Sequence, residues 1–426
     1  MNAVPQQLLP DTAAIDGDGH LTVGGVRLTD IAAEYGTPVF VYDETHLEAR
    51  CREAVRAFPG GAAYASKAFL SKAMAEVALD AGMNIDVASG GELHVALAAG
   101  YPGDRIFMHG NNKSEAELLL AMEHNIGAIV VDSFDEIDRL ERLLQQRPAS
   151  QTVRCWVRVT PGVEVHTHEY IMTGQDDSKF GFGLANGDAQ RAVDRLRGIP
   201  GLEVIAAHAH VGSLVFETTG FEREVELLTP FTIKNGFKHL CVGGGLGVAY
   251  VTGENAPTLT QWGEAIQRAA KAAGIPDDVK ISCEPGRSIA AGAAMTLYTV
   301  GTIKDIPGIR TYVSVDGGMS DNPRPILYDS GYEAFLVRAP AALREHRVTV
   351  VGKHCESGDM LVRDAYIPAD TQVGDILATP VTGAYGYTMA SNYNKVPRPA
   401  VVFVKNGDAR LVVRRETFED LLRLDV

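Results

Sequence analysis

From Gly61 to about Ser288 the chain repeats one unit, a short apolar run rich in strand-forming residues followed by an amphipathic helical stretch. The runs fall at 61–66, 84–88, 105–109, 128–132, 153–160, 203–210, 238–243 and 280–284. Short continuous apolar runs are what strands buried on both faces require, and the helices between them are the crossovers that parallel strands need. A unit repeated in this way over roughly 250 residues constrains the chain to a closed parallel (β/α)8 barrel, with an open doubly wound sheet as the weaker alternative. The loop after the fifth run is unusually long. It holds Asp176-Asp177-Ser178-Lys179-Phe180-Gly181-Phe182-Gly183, and long ordered loops in compact domains are often lids.

Outside this repeat the pattern changes. Met295–Ile303, Thr311–Val315, Arg347–Val351 and Ala400–Val404 are short, β-branched and separated by Gly, Pro or Asp. They predict a mainly antiparallel β domain, sandwich- or barrel-like. Near the start, His20–Leu28 alternates around Gly24-Gly25, a hairpin signal that assigns it to the same domain. A short helix over 29–36, a strand over 37–42 and a helix capped by Asp43 or Thr45 and running to Phe58 follow. A final amphipathic turn covers Glu416–Leu424. A chain of 426 residues exceeds what one core usually supports. The expected division is therefore a barrel over 36–290 and a β domain built from 1–35 and 291–426.

A formal charge of −15 argues against nucleic acid or an anionic membrane as partner. The five cysteines are scattered, with no Cys-x-x-Cys, and read as the reduced thiols of a cytoplasmic protein. No stretch approaches the roughly eighteen apolar residues of a membrane helix, and residues 1–20 lack a basic start followed by an apolar run. A cytoplasmic chain without membrane partners is expected.

The chemically distinctive residues fall at the carboxyl ends of the predicted strands, where barrels keep their catalytic groups. The first run stops at Lys67; an amine held there among small apolar residues loses proton affinity and becomes a nucleophile toward carbonyls, although a lysine can also simply solvate a strand end. The sixth ends in His208-Ala209-His210-Val211-Gly212-Ser213. His-x-His in a barrel suggests a metal-dependent hydrolase, with His109 and the His166/His168 pair as further ligands; alternatively one imidazole stacks on a flat cofactor ring and Ser213 contacts its phosphate. The seventh ends in Gly243-Gly244-Gly245-Leu246-Gly247, poor as a dinucleotide fingerprint but able to expose backbone N–H groups to phosphate, or simply a structural turn. The eighth ends in Glu284-Pro285-Gly286-Arg287-Ser288, where Gly286 allows close approach to a ligand, and where a plain salt bridge is the competing reading. An amine, a phosphate cradle, a stacking histidine and a carboxylate at one mouth describe together a pyridoxal phosphate site. In it Lys67 carries the cofactor and Glu284 keeps its ring nitrogen protonated, and no metal is needed.

At these residues the chain resembles the fold-type III pyridoxal-phosphate-dependent decarboxylases, most closely their diaminopimelate branch. The likeness runs nearly end to end, through Tyr64–Ala68, Asp86–Glu92, His109–Ser114, the loop through Gly181 and the histidine, glycine and Glu-Pro-Gly-Arg motifs. Decarboxylases of ornithine, lysine or arginine are the alternative within the class. The resemblance implies an amino-acid substrate and a cofactor site of Lys67, His210, Ser213, Gly244, Gly245, Glu284, Pro285, Gly286, Arg287 and Tyr385. In Asp321-Asn322-Pro323-Arg324-Pro325-Ile326-Leu327-Tyr328 the prolines predict an extended segment with Arg324 and Tyr328 on one face. The family uses these two positions, with Arg287, to hold the carboxylate at the substrate's non-reacting end. Cys355-Glu356-Ser357-Gly358-Asp359 resembles the motif that a partner subunit contributes, which implies a homodimer with shared sites. There Cys355 would deliver a proton, Glu356 would bind the far amino group, and Tyr385 would touch cofactor and substrate. Leu214 stands where glutamine is expected, and Gly386-Tyr387 follow Tyr385 where a cysteine is common.

Overall fold

A computed structural model of the chain describes residues 3–146, 152–163 and 178–426, so His166, His168, Asp176 and Asp177 lie outside the described residues. The chain divides into two compact units: residues 50–247 with 256–288, and residues 1–49 with 248–255 and 289–426. The first contains eight parallel strands: β1 (Ala63–Ala65), β2 (Asn84–Val87), β3 (Ile106–Met108), β4 (Ala128–Val131), β5 (Val153–Thr160), β6 (Leu202–His208), β7 (His239–Cys241) and β8 (Lys280–Ser282). They pair in sequential order. Ala62 bridges Cys283 in parallel, and Cys283 N–H donates to Gly61 O at 3.1 Å, which closes the barrel between β8 and β1.

The helices of this unit start where their sequences supply caps. Ser71, Ser89 and Ser133 accept from the backbone N–H three residues on, and Ser114 with Glu117 and Thr258 with Gln261 form full capping boxes. Each such cap is worth about 1 kcal/mol. The barrel interior is a packed layer rather than a pore. Ala63, Phe107, Ala128, Val130, Trp156, Ala206 and Cys241 are all buried together, with the Phe107 and Trp156 rings 4.3 Å apart and small residues filling the remaining positions. That layer forms a floor below the strand ends.

The other unit is a mixed but mainly antiparallel sheet. Its strands run in the order Met360–Ile367, His346–Val351, Arg310–Val315, Ala294–Ile306, Val39–Asp43, Ala400–Lys405 and Asp408–Val413, and Ile376–Pro380 also pairs with Ala294–Ile306. Only the contacts of Arg310–Val315 with His346–Val351 and of Val39–Asp43 with Ala400–Lys405 are parallel. The early hairpin belongs here: Gly24 and Gly25 both have positive φ, and Leu21 N–H donates to Val337 O at 2.9 Å. Asp43 Oδ1 accepts the His46 N–H and so caps the helix that follows.

One expected element changes character. Arg324–Tyr328 is a short helix rather than an extended segment. Pro323 is its N-cap and Pro325 lies in its first turn, where a missing N–H breaks no helical hydrogen bond. Arg324 and Tyr328 still share a face, because residues four apart are neighbours on a helix.

Candidate active site

At the carboxyl ends of the barrel strands, short turns aim the functional groups. β1 passes into a 3-10 turn over Ser66–Ala68 in which Ser66 and Ala68 are buried and Lys67 is exposed. The expected enclosure of the amine by apolar residues is therefore absent: the turn buries its own neighbours and projects Lys67 beyond the strand end. Among the described residues its ammonium makes no hydrogen bond or ion pair, while its charge is felt by Asp86 and His210. The Glu-Pro-Gly-Arg turn lies against the residues that flank this lysine. A Cβ on Gly286 would sit 2.8 Å from both Cβ and O of Ala65 and 3.1 Å from the Ala68 Cβ. That glycine serves the packing of β1 against the eighth strand end.

Glu284 is buried, with its carboxylate between two imidazoles. Oε2 is 2.9 Å from His208 Nε2, and Oε1 is 3.0 Å from His109 Nε2. Burial alone would push this carboxyl up, but the two imidazoles outweigh it and hold Glu284 well below the usual carboxylate range. Burial lowers His109 to about 4, so near pH 7 it is a neutral imidazole beside an anion, and its Nε2 and Glu284 Oε1, although 3.0 Å apart, are not aligned as a hydrogen bond. Asp86, buried and repelled by Glu284, is pushed well above its ordinary value despite the attraction of Lys67.

The two histidines of His-x-His part company. His208 ends β6 and faces Glu284, whereas His210 lies in the loop beyond, and its Nδ1 accepts the Gly244 N–H at 3.2 Å. Burial, then the charges of Lys67 and Arg158, push the His210 imidazole well below its ordinary value, in keeping with an acceptor Nδ1. The potential ligand atoms of His109, His208 and Glu284 lie within 4.8 Å of one another, a donor set a metal could use. His210 is not part of that set, and the Glu284 oxygens already face imidazole nitrogens directly.

The glycine run is required by its surroundings. A Cβ on Gly243 would lie 2.4 Å from Ala209 O, one on Gly244 2.1 Å from Glu284 O, and one on Gly245 2.0 Å from Gly212 O. Only glycines let the loops after β6, β7 and β8 converge so closely. The N–H groups of Gly245 and Gly286 donate to no acceptor among the described residues, so they remain available to an anion. Ser213 is half-buried on the same convergence, before Leu214 at φ 59°. Arg287 is half-buried at the end of the eighth motif. An unpaired amine, free backbone N–H donors and an ionised carboxylate are the groups that pyridoxal phosphate needs for its carbonyl, phosphate and ring nitrogen, and so these residues fit it.

Sequence reasoning gave no role to Arg158 and Asp132. Arg158 Cζ is 4.4 Å over the Phe180 ring and Nη1 is 3.7 Å from Asp132 Oδ2. Asp132 Oδ1 accepts the Gly181 N–H at 2.8 Å, and Thr160 Oγ1 donates to Phe180 O at 2.7 Å. The described part of the long loop, from Ser178, is thus fastened to the end of β5. The parity of Arg158 and Thr160, two residues apart at a strand end, was the available signal.

In the other unit Arg324 is 1% exposed, and Nη1 donates to the Tyr332 hydroxyl at 2.6 Å. Its guanidinium lies 4.2 Å over the Tyr250 ring, and Tyr385 contributes to its electrostatic environment. No carboxylate pairs with it among the described residues. Tyr328 is half-buried one helical turn away. Tyr385 and Val381 both have φ 60°, a strained conformation for such residues and a mark of a functionally constrained segment. Cys355 and Glu356 are exposed, on a loop whose flanks His354 and Asp359 are buried.

Residues 44–291 match the family described as "Pyridoxal-dependent decarboxylase, pyridoxal binding domain". The chain is 46% identical to diaminopimelate decarboxylase of Bacillus subtilis (strain 168), over 98% of each sequence. It is 44% identical to that of Mycobacterium tuberculosis (strain ATCC 25618 / H37Rv), over 98% of this chain and 97% of the other. The crystal structure of diaminopimelate decarboxylase from M. jannaschii in co-complex with L-lysine superposes with a TM-score of 0.90 at 30% identity, covering 98% of each chain. The barrel with its lysine, glycine and carboxylate ends, the family match and the near-complete overlap with these relatives agree, and the chain belongs to the diaminopimelate decarboxylase family of pyridoxal-dependent decarboxylases.

Proposed function

We propose that the chain decarboxylates meso-2,6-diaminopimelate at its D-centre, giving L-lysine and carbon dioxide as the last step of lysine synthesis by that route. The observation that carries the substrate choice is Arg324, a guanidinium buried to 1% exposure with no carboxylate partner among the described residues. A buried charge without a counter-ion is costly unless a ligand supplies one. Diaminopimelate has a second carboxylate to offer; ornithine and lysine do not.

Pyridoxal phosphate, when bound, supplies an electron sink for the pair left behind as carbon dioxide departs. Lys67 would hold it covalently, while His210, Ser213, Gly244, Gly245, Gly286 and Arg287 would hold its ring and phosphate. The Glu284 carboxylate, kept ionised by His109 and His208, would keep a proton on the ring nitrogen. Arg324, Tyr328 and Arg287 would bind the carboxylate that stays, Glu356 the amine beside it, and Tyr385 would contact substrate and cofactor. Cys355 would give a proton to the α-carbon after carbon dioxide leaves. The exposure of Cys355 and Glu356 supports a homodimer in which each site receives this pair from the partner. No described helix is long and apolar enough to cross a membrane, and a cytoplasmic setting suits a small-molecule biosynthetic reaction.

The test is the visible spectrum of the purified protein together with product analysis. A cofactor band lost in Lys67→Ala, shifted by meso-diaminopimelate and followed by lysine formation is expected. Faster turnover of ornithine or lysine than of meso-diaminopimelate would overturn the substrate assignment.

A further inference from the structure

Resting on the reading of Cys355 as proton donor, we propose that Asn394 is its positioning residue: the Asn394 side-chain carbonyl fixes the backbone from which the thiol projects. Asn394 Oδ1 lies 3.3 Å from the Cys355 N–H that donates to it and 3.2 Å from His354 Nδ1. A backbone N–H can only donate, so the atom facing it must be the amide oxygen. His354 Nδ1 must then carry a proton to share that oxygen, which leaves His354 Nε2 to accept from the Ser320 hydroxyl at 2.8 Å. One acceptor thus sets the tautomer of His354 and the orientation of the Cys355 peptide together.

The backbone around this pair is held by a buried carboxylate. Asp359 Oδ2 accepts the His354 N–H at 2.9 Å, and Oδ1 accepts the Met319 N–H at 2.6 Å. Gly318 and Gly352 press on the same carboxylate so closely that a Cβ on either would lie 2.6 and 2.2 Å from it. Three chain segments, around Gly318, His354 and Asn394, are therefore tied together beneath an exposed cysteine. Asn394 reaches its place in a left-handed conformation at φ 53°, ψ 24°, and Lys395 follows at φ 56°. Asparagine tolerates that region, but lysine does so at a cost, so the surrounding structure imposes the turn. The Tyr393 ring, 5.4 Å from that of His354, closes the side of the arrangement. A proton donor displaced by about 1 Å loses on the order of 100-fold in rate, which is why a loop carrying one needs such fixing.

The experiment is a double-mutant cycle on the full-length holoenzyme. Asn394→Gly keeps the left-handed backbone and removes the acceptor, whereas Asn394→Asp keeps both; Asn394→Ser replaces the glycine variant if thermal unfolding shows that variant to be poorly folded. Asn394→Gly is expected to lower kcat by roughly 10- to 100-fold with KM within about threefold, and Asn394→Asp to restore most of the loss. In a Cys355→Ala background the same change should cost less than about twofold, because its effect passes through the thiol. An equal loss in both backgrounds, or a loss confined to KM, refutes the positioning role. Near-normal kcat in Cys355→Ala alone refutes the proton-donor reading instead, so the two failures are distinct.

Discussion

Arg324→Met separates a residue kept for binding from one kept for folding. Arg324 is 1% exposed and has the Tyr332 hydroxyl, the Tyr250 ring and no carboxylate among its described partners. For substrate, the change removes one partner of a desolvated charge pair, a loss of about 2–5 kcal/mol, or roughly 30- to 4,000-fold in kcat/KM for meso-diaminopimelate. For the fold, three effects oppose one another. Taking a charge out of a buried site is neutral to stabilising by about 1–4 kcal/mol. Losing the contact with the Tyr250 ring costs up to about 2 kcal/mol. Losing the hydrogen bond between the guanidinium and the Tyr332 hydroxyl costs about 1–3 kcal/mol. The net change in stability should therefore centre near zero and destabilise by no more than about 4 kcal/mol, while activity collapses. Steady-state kinetics and urea unfolding of the same preparations measure both. A kcat/KM within tenfold of the parent, combined with a stability loss above about 4 kcal/mol, would show that the guanidinium serves the fold, and the argument for a carboxylate-bearing substrate would fail.

Glu284→Gln should retain the cofactor but lower kcat by at least about 100-fold, since a neutral amide cannot replace an anion at the ring nitrogen; single-turnover kinetics with near-parental rates would remove its assigned role. Mixing inactive Lys67→Ala with strongly impaired Cys355→Ala under conditions of subunit exchange should raise activity above that of either variant alone, because a hybrid dimer has one site with both residues intact. Demonstrated exchange without that rise would argue against shared sites. His109 is lowered from 6.5 to about 4, so between these values the unfolded chain binds the proton and the folded one does not. Its contribution is present above pH 6.5 and falls away as the pH drops toward 4, by roughly 3 kcal/mol in all. His109→Gln should flatten the stability profile over that window, as read from denaturant midpoints at a series of pH values, and an unchanged slope contradicts a buried neutral imidazole.

Much of the barrel was legible because its signals are local. Apolar runs bounded by helical stretches placed all eight strands to within about two residues at both ends. The motifs at the strand ends, Lys67, His208–Ser213, Gly243–Gly245 and Glu284–Arg287, could be read in order, since a barrel turns order along the chain into position around its mouth. The arrangement within each motif was not legible. That His208 faces Glu284 and His210 faces Gly244 depends on where β6 ends, and that Gly286 packs on Ala65 depends on the closure between the eighth and first strands. The helix at Arg324–Tyr328 was missed because two prolines were read as excluding helix, although both lie at its start.

The sequence by itself determined the architecture and the kind of chemistry, because alternating strand and helix periods admit few folds and a lysine, glycine run and Glu-Pro-Gly-Arg at strand ends suit few cofactors. Tertiary structure alone decided which groups carry charge and which hold others in place. The ionisation of Glu284 comes from two imidazoles that reach it from positions 175 and 76 residues earlier in the chain. The unsatisfied charge of Arg324 is defined by tyrosines at positions 250 and 332. The tautomer of His354 is set by an asparagine 40 residues on. Proton positions and the energies of buried charge depend on distance and desolvation in space, and no periodicity along a chain encodes either.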